Sequence, residues 1–120
     1  MIGKVNLVER LSQMPDYWKP RIVGELNGQE LKLAKLRGTF IWHQHENEDE
    51  LLLCLSGRLR IEFRDDLVEL GAGEFYIVPR GTVHRTSADE ETHVLVFEPI
   101  GTRNTGNVDN PEFTTADVRI

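Results

Sequence analysis

An all-β fold, built as an antiparallel sandwich or barrel, is what this sequence predicts, and three observations predict it. From Arg21 onward apolar and polar residues alternate with a period of two, the pattern of strands that bury one face. Turn-forming residues interrupt these runs at intervals of about eight to twelve residues. The gaps left between the runs are too short for crossover helices, which removes the parallel α/β architectures.

The elements follow in order. Leu7, Val8 and Leu11 fall at helical spacing between Asn6, a good N-cap, and Pro15, so a short helix over about Asn6–Met14 is expected. Tyr17, Trp18 and Pro20 then form an aromatic bridge expected to pack that helix onto the next element. Arg21–Leu26 and Gln29–Arg37 read as a hairpin around Asn27-Gly28, a dipeptide whose two residues tolerate positive φ. Thr39–His45 is a third strand and Glu50–Ser56 a fourth. Arg58–Arg64 is a fifth, with Leu59, Ile61 and Phe63 on one face and Arg58, Arg60, Glu62 and Arg64 on the other. Asp65-Asp66 turns the chain into Leu67–Leu70. Glu74–Val78 ends at Pro79, Thr82–Arg85 is a short strand, and Thr92–Glu98 a longer one. The barrel core thus spans about residues 21–99. The polar stretch 101–120, rich in Thr, Asn and Gly, is expected to run irregularly over the surface and fray at its end.

Bulk properties narrow the functional classes. The 120 residues suit one domain, with 39% hydrophobic and 28% charged residues typical of a globular protein. A net charge of −6 with scattered Lys and Arg argues against nucleic acid as a partner. No apolar run approaches the roughly 18 residues of a membrane span, and no basic-then-apolar leader opens the chain, so a cytoplasmic protein without membrane association is expected. The single cysteine, Cys54, excludes an internal disulfide.

Chemistry concentrates in residues 38–57. His43 and His45 sit two apart, so on extended backbone both imidazoles share a face while Trp42 and Gln44 point away. Glu50 heads the next apolar run after an acidic loop and can fold back to the same space. A third imidazole, His84, follows 34 residues after Glu50, past Pro79-x-Gly81. Three imidazoles with one carboxylate suit a divalent transition ion (iron, manganese, nickel or zinc) better than calcium or magnesium, and leave positions open on a six-coordinate metal. A closed structural zinc site would be expected to use cysteine, which this set lacks.

These spacings resemble two sequence motifs of the cupin superfamily. His43-x-His45, four residues, Glu50, six residues, Gly57 is similar to the first, and Gly73, five residues, Pro79-x-Gly81, two residues, His84 to the second. The segment between them is short, as in compact stand-alone cupins similar to the mannose-6-phosphate isomerase group. The resemblance implies a double-stranded β-helix, or jelly-roll barrel, with His43, His45, Glu50 and His84 around one metal. Two positions depart from the pattern: Arg37 stands where a glycine is usual, with Gly38 one place late, and Ala88 stands where asparagine is common.

Alternation then assigns the surroundings. With Glu50 inward, Leu52, Cys54 and Ser56 also face in, so Leu52 and Cys54 are candidate pocket residues; Tyr76 could offer a hydroxyl. Cys54 fits an apolar wall better than a nucleophile, having no basic partner nearby in sequence. His93 reads as an ordinary strand residue, and Lys35, Arg60 and Arg80 as candidate anchors for an anionic ligand. Leu51, Leu53 and Leu55 face outward and need covering by a second sheet or subunit, so a homodimer is expected. Two functions follow: a metal-dependent enzyme on a small polar molecule such as a sugar or organic acid (dioxygenase, isomerase or epimerase, or lyase) with Glu50 as catalytic base, or a non-catalytic metal-dependent binding protein.

Overall fold

The computed structural model describes residues 3–120. Its elements are α1 (Leu7–Ser12), β1 (Arg21–Leu26), β2 (Gln29–Thr39), β3 (Glu50–Ser56), β4 (Arg58–Phe63), β5 (Leu67–Gly71), β6 (Phe75–Val78), β7 (His84–Pro99) and β8 (Val118–Arg119). The strands join in the order β5-β4-β7-β2-β1-β8, with β3 pairing both β6 and β7. All pairings are antiparallel except β1 with β8.

The long strand β7 organises this barrel. Its first part, His84–Ser87, pairs with β4, and its second, His93–Phe97, pairs with β3, while β2 follows both parts. Where the sequence suggested two strands, Ala88–Glu91 instead carries one continuous strand from its pairing with β4 to its pairing with β3. Gly57 makes the crossing possible. A Cβ there would lie 2.5 Å from Thr92 Oγ1, and its φ of +88° is open to glycine at little cost. The two departures from the family pattern meet here as well: Gly38 and Ala88 are cross-strand partners, next to a register shift between Leu36 and Gly38.

Two apolar clusters follow from alternation. Inside the barrel Ala34, Leu36, Leu52, Cys54, Leu59, Ile61, Leu70, Val78, Val94 and Val96 pack together. Outside it, Leu11 and Met14 of the N-terminal segment cover Leu33, with Leu55 and Leu95 alongside. Asn6 caps the helix as expected, its Oδ1 accepting from Glu9 N–H at 3.0 Å. The helix therefore covers only part of the outer sheet. Beyond it, Leu51 and Leu53 are half-buried beside Ile77 and Phe75, which are 49% and 58% exposed.

Two expectations change. Residues 40–45 form no third strand; the backbone continues extended, held by single contacts such as Phe40 N–H to Thr86 O at 2.9 Å. The stretch 101–120 does not fray. It folds back across the barrel, buries Thr102 and Thr105, and ends in β8 against β1. No helix among the described residues is long and apolar enough to cross a membrane.

Candidate metal centre

His43 and His84 are placed by the backbone. Each donates its N–H to the other's carbonyl at 2.9 Å, an isolated antiparallel bridge that brings their ring centroids to 4.4 Å. Two residues on, the still-extended chain returns His45 to the same side, with its carbonyl accepting from Gly81 N–H at 2.8 Å. The Pro79-x-Gly81 turn thus tethers one histidine while delivering another. Asp49 pins this turn to the acidic loop through Arg80 N–H at 2.9 Å and through the guanidinium. Glu50, first residue of β3, then points inward among the rings. His43, His45, His84 and Glu50 are all buried.

The tautomers of two rings follow from their partners. Nδ1 of His43 lies 3.0 Å from Ile41 O, and Nδ1 of His84 lies 2.9 Å from Thr82 O. A carbonyl can only accept, so Nδ1 carries the proton in both, and Nε2 faces the interior with its lone pair. Yet His84 Nε2 lies 3.3 Å from Glu50 Oε1 and His45 Nε2 lies 3.4 Å from Glu50 Oε2. At His84 a lone pair facing a carboxylate oxygen requires a positive charge between them, either a proton or a metal ion.

Electrostatics agree. Burial alone would raise the Glu50 carboxyl, but the close approach of the His45 and His84 rings outweighs it and holds Glu50 well below the ordinary carboxylate range. Burial lowers His43 to about 4, with His84 adding repulsion, so this ring is a neutral donor at physiological pH. His84 moves the other way: burial would lower it, but Glu50 raises it.

The donor set fits a divalent transition ion. Ring nitrogens of His43, His45 and His84 lie within 4.8 Å of one another. Ligand atoms about 2.1 Å from one ion stand about 3 Å apart when adjacent and about 4.2 Å apart when opposite. His45 supplies the sharpest test, since both of its ring nitrogens are buried without a hydrogen-bond partner. Such orphans are rare in folded proteins unless an ion or water serves them.

Beside the four residues lies a cavity of about 60 Å³ whose walls include Trp18, Leu36, Phe40, Leu52, Val94 and Val96. Trp18 stacks on Phe40 at a centroid distance of 5.0 Å, so it serves the cavity instead of packing the helix. Of the candidate pocket residues, Leu52 lines this space. Cys54 does not: it lies in the core, its thiol 3.7 Å from Ser56 O. Tyr76 is half-buried against Phe63 and also stands outside the lining. The candidate anion anchors are occupied elsewhere: Arg60 pairs with Asp89, Arg80 with Asp49, and Lys35 donates to Met14 O. His93 pairs with Glu91, away from the cluster.

Two charged residues that sequence reasoning passed over line the cavity, Lys32 and Glu98. Lys32 Nζ reaches Glu98 Oε1 at 3.1 Å, Asp117 Oδ1 at 3.2 Å and Thr102 O at 3.1 Å. Their signal was period two itself. Lys32 shares parity with inward Ala34 and Leu36, and Glu98 with inward Val94 and Val96.

Comparison with known proteins gives a family. The cupin-domain profile matches residues 30–98. The chain belongs to the cupin-domain family. Among relatives of this cupin is the uncharacterized protein YdbB of Bacillus subtilis (strain 168), 38% identical over 77 residues, or 63% of this chain and 68% of YdbB. A crystal structure of a cupin-2 domain protein from Shewanella frigidimarina NCIMB 400 superposes with a TM-score of 0.78 at 38% identity, covering 79% of this chain and 93% of that one. Protein NMB1881 of Neisseria meningitidis gives a TM-score of 0.75 at 28% identity over 81% and 99% of the two chains.

Proposed function

We propose that this cupin is a metal-dependent enzyme acting on a small organic acid or carbonyl compound. The observation that carries the reading is His45, buried with both ring nitrogens unserved among His43, His84 and Glu50. His43, His84 and His45 would hold a divalent ion through nitrogen and Glu50 through oxygen. Such an ion supplies Lewis acidity toward a carbonyl or hydroxyl oxygen or, as iron, a site for dioxygen chemistry.

The chain's own residues set the rest. Glu50 is ionised and turned toward the cavity, able to accept a proton from a bound molecule. The walls favour an organic acid or carbonyl compound over a sugar: they are mostly apolar, with few polar groups to meet the many hydroxyls of a sugar. Trp18, Phe40 and Leu52 would hold a short apolar body while its polar end meets the histidines.

The protein is further proposed to work in the cytoplasm as a homodimer, joined through the uncovered sheet face of Leu51, Leu53, Phe75 and Ile77. Metal analysis of protein purified without chelator or added metal, followed by turnover and oxygen-uptake assays on short-chain oxo and hydroxy acids, tests the reading. One transition ion per chain, with turnover lost in Glu50→Gln while the metal is retained, is the expected result. A metal-replete protein that binds these acids without turning any over would make it a binding protein.

A further inference from the structure

The buried Lys32–Glu98 pair has no part in the four-residue set, and one of its atoms is unserved. Glu98 is 3% exposed, and its Oε1 is taken by Lys32 at 3.1 Å. Its Oε2 is buried with no hydrogen-bond partner from any donor. Lys32 cannot turn to it without loss, because its ammonium already serves Glu98 Oε1, Asp117 Oδ1 and Thr102 O with three donors.

The Glu98 carboxyl stands at the metal centre. Ligand atoms of His45, Glu50 and Glu98 lie within 4.8 Å of one another, and His45 is common to this group and to the three-histidine group. Two carboxyl groups, Glu50 and Glu98, therefore stand together in a buried space, where burial and the neighbouring charge of Glu50 push Glu98 well above the ordinary carboxylate range, a penalty that a shared cation would relieve. The three orphaned side-chain atoms among the described residues are His45 Nδ1, His45 Nε2 and Glu98 Oε2. Two residues at one centre thus lack partners, and one cation can serve both.

We infer that Glu98 is a fifth protein ligand of the ion, held in place by Lys32. The inference rests on the metal-dependent reading above. Charge supports it: two carboxylates match a dication bound by three neutral imidazoles, while Lys32 and Asp117 cancel each other. Five protein ligands would leave a six-coordinate ion one position for a small molecule. Lys32 acts as a positioning residue, holding Oε1 at 3.1 Å so that Oε2 stays free for a cation.

The test is cobalt(II) titration of the metal-free full chain, read by calorimetry and by ligand-field absorption, for the natural sequence, Glu98→Gln and His84→Ala. Loss of a hydrogen-bonding residue around a metal costs about 10–100-fold in affinity, so loss of a true ligand should reach or pass about 100-fold. The expected result is one ion per chain, affinity at least about 100-fold weaker in Glu98→Gln, and visible bands that shift with the changed ligand set. His84→Ala should lose stoichiometric binding. Should the natural protein bind no cobalt, or His84→Ala bind it undiminished, the metal-dependent reading itself fails and this inference with it. Should His84→Ala lose the ion while Glu98→Gln keeps the natural spectrum, Glu98 is not a ligand and only this inference is overturned. If Glu98→Gln does not fold, anomalous diffraction from the manganese-loaded natural protein decides: a Glu98 oxygen about 2.2 Å from the ion supports ligation, and one beyond about 3 Å overturns it.

Discussion

At the scale of single residues, the centre depends on which atoms already have partners. Nδ1 of His43 and His84 is committed to carbonyls two residues upstream, which leaves Nε2 of each for the ion. His84 is raised above its ordinary 6.5 by Glu50, so in the metal-free protein a proton competes for the site. Metal affinity should fall as pH drops through that raised value and level off above it, because the metal must displace the proton; calorimetry from pH 6 to 8 checks this, and a flat profile would refute it. Gly106 is the second sensitive point. With φ +56°, it places a would-be Cβ against Gln44 O and 3.3 Å from His45 Nδ1. Gly106→Ala should lower stability by about 1–3 kcal/mol and weaken metal binding by moving the His45 backbone. Denaturant unfolding and metal titration measure the two effects separately. Both histidines and Glu50 were legible in the sequence because side-chain alternation needs only extended backbone, which residues 40–45 supply without a strand. Glu98 was passed over although it shares inward parity with Val94 and Val96, because a buried acid draws notice through its partner and Lys32 lies 66 residues away in sequence on the neighbouring strand.

At the scale of elements, one strand carries two surfaces. Glu50, Leu52 and Cys54 of β3 face the interior, while Leu51 and Leu53 join Ile77 and Phe75 outside. The small helix stops at Leu33, Leu55 and Leu95. A charged residue in the uncovered patch should separate subunits if the proposed dimer forms there: Phe75→Glu is expected to halve the mass seen by light scattering without lowering metal content. A monomeric natural protein would refute the interface. The succession of strands along the chain could be read from turn residues, but their order in the sheet and the unity of β7 could not. Asp89, Glu90 and Glu91 look like a polar turn, and become the exposed outer side of a bend only because Gly57 lets two strands cross.

At the scale of the whole molecule, residues 101–120 close the barrel. Their polar composition suggested a surface run, but the hydroxyls find partners: Thr105 Oγ1 lies 2.6 Å from Thr114 Oγ1 within the segment, and Thr102 Oγ1 donates to Pro99 O at the end of β7 at 2.6 Å. Buried polar side chains are tolerated when so satisfied. The segment also reaches inward, with Phe113 packing on Trp18 and Phe40, and Asp117 holding Lys32. Removing residues 101–120 should strip Lys32 of two partners and open the cavity, lowering thermal stability and the stabilisation that added metal confers. Scanning calorimetry with and without manganese would show it, and an unchanged metal-induced shift would refute it.

The closing segment also reaches the candidate ligands. Asn107 holds both backbone groups of Gln44, its N–H donating to Gln44 O at 3.0 Å and its Oδ1 accepting from Gln44 N–H at 2.9 Å. The residue between His43 and His45 is thus braced by a part of the chain more than sixty positions away, so the last turns of the sequence share in holding the spacing of the first two imidazoles.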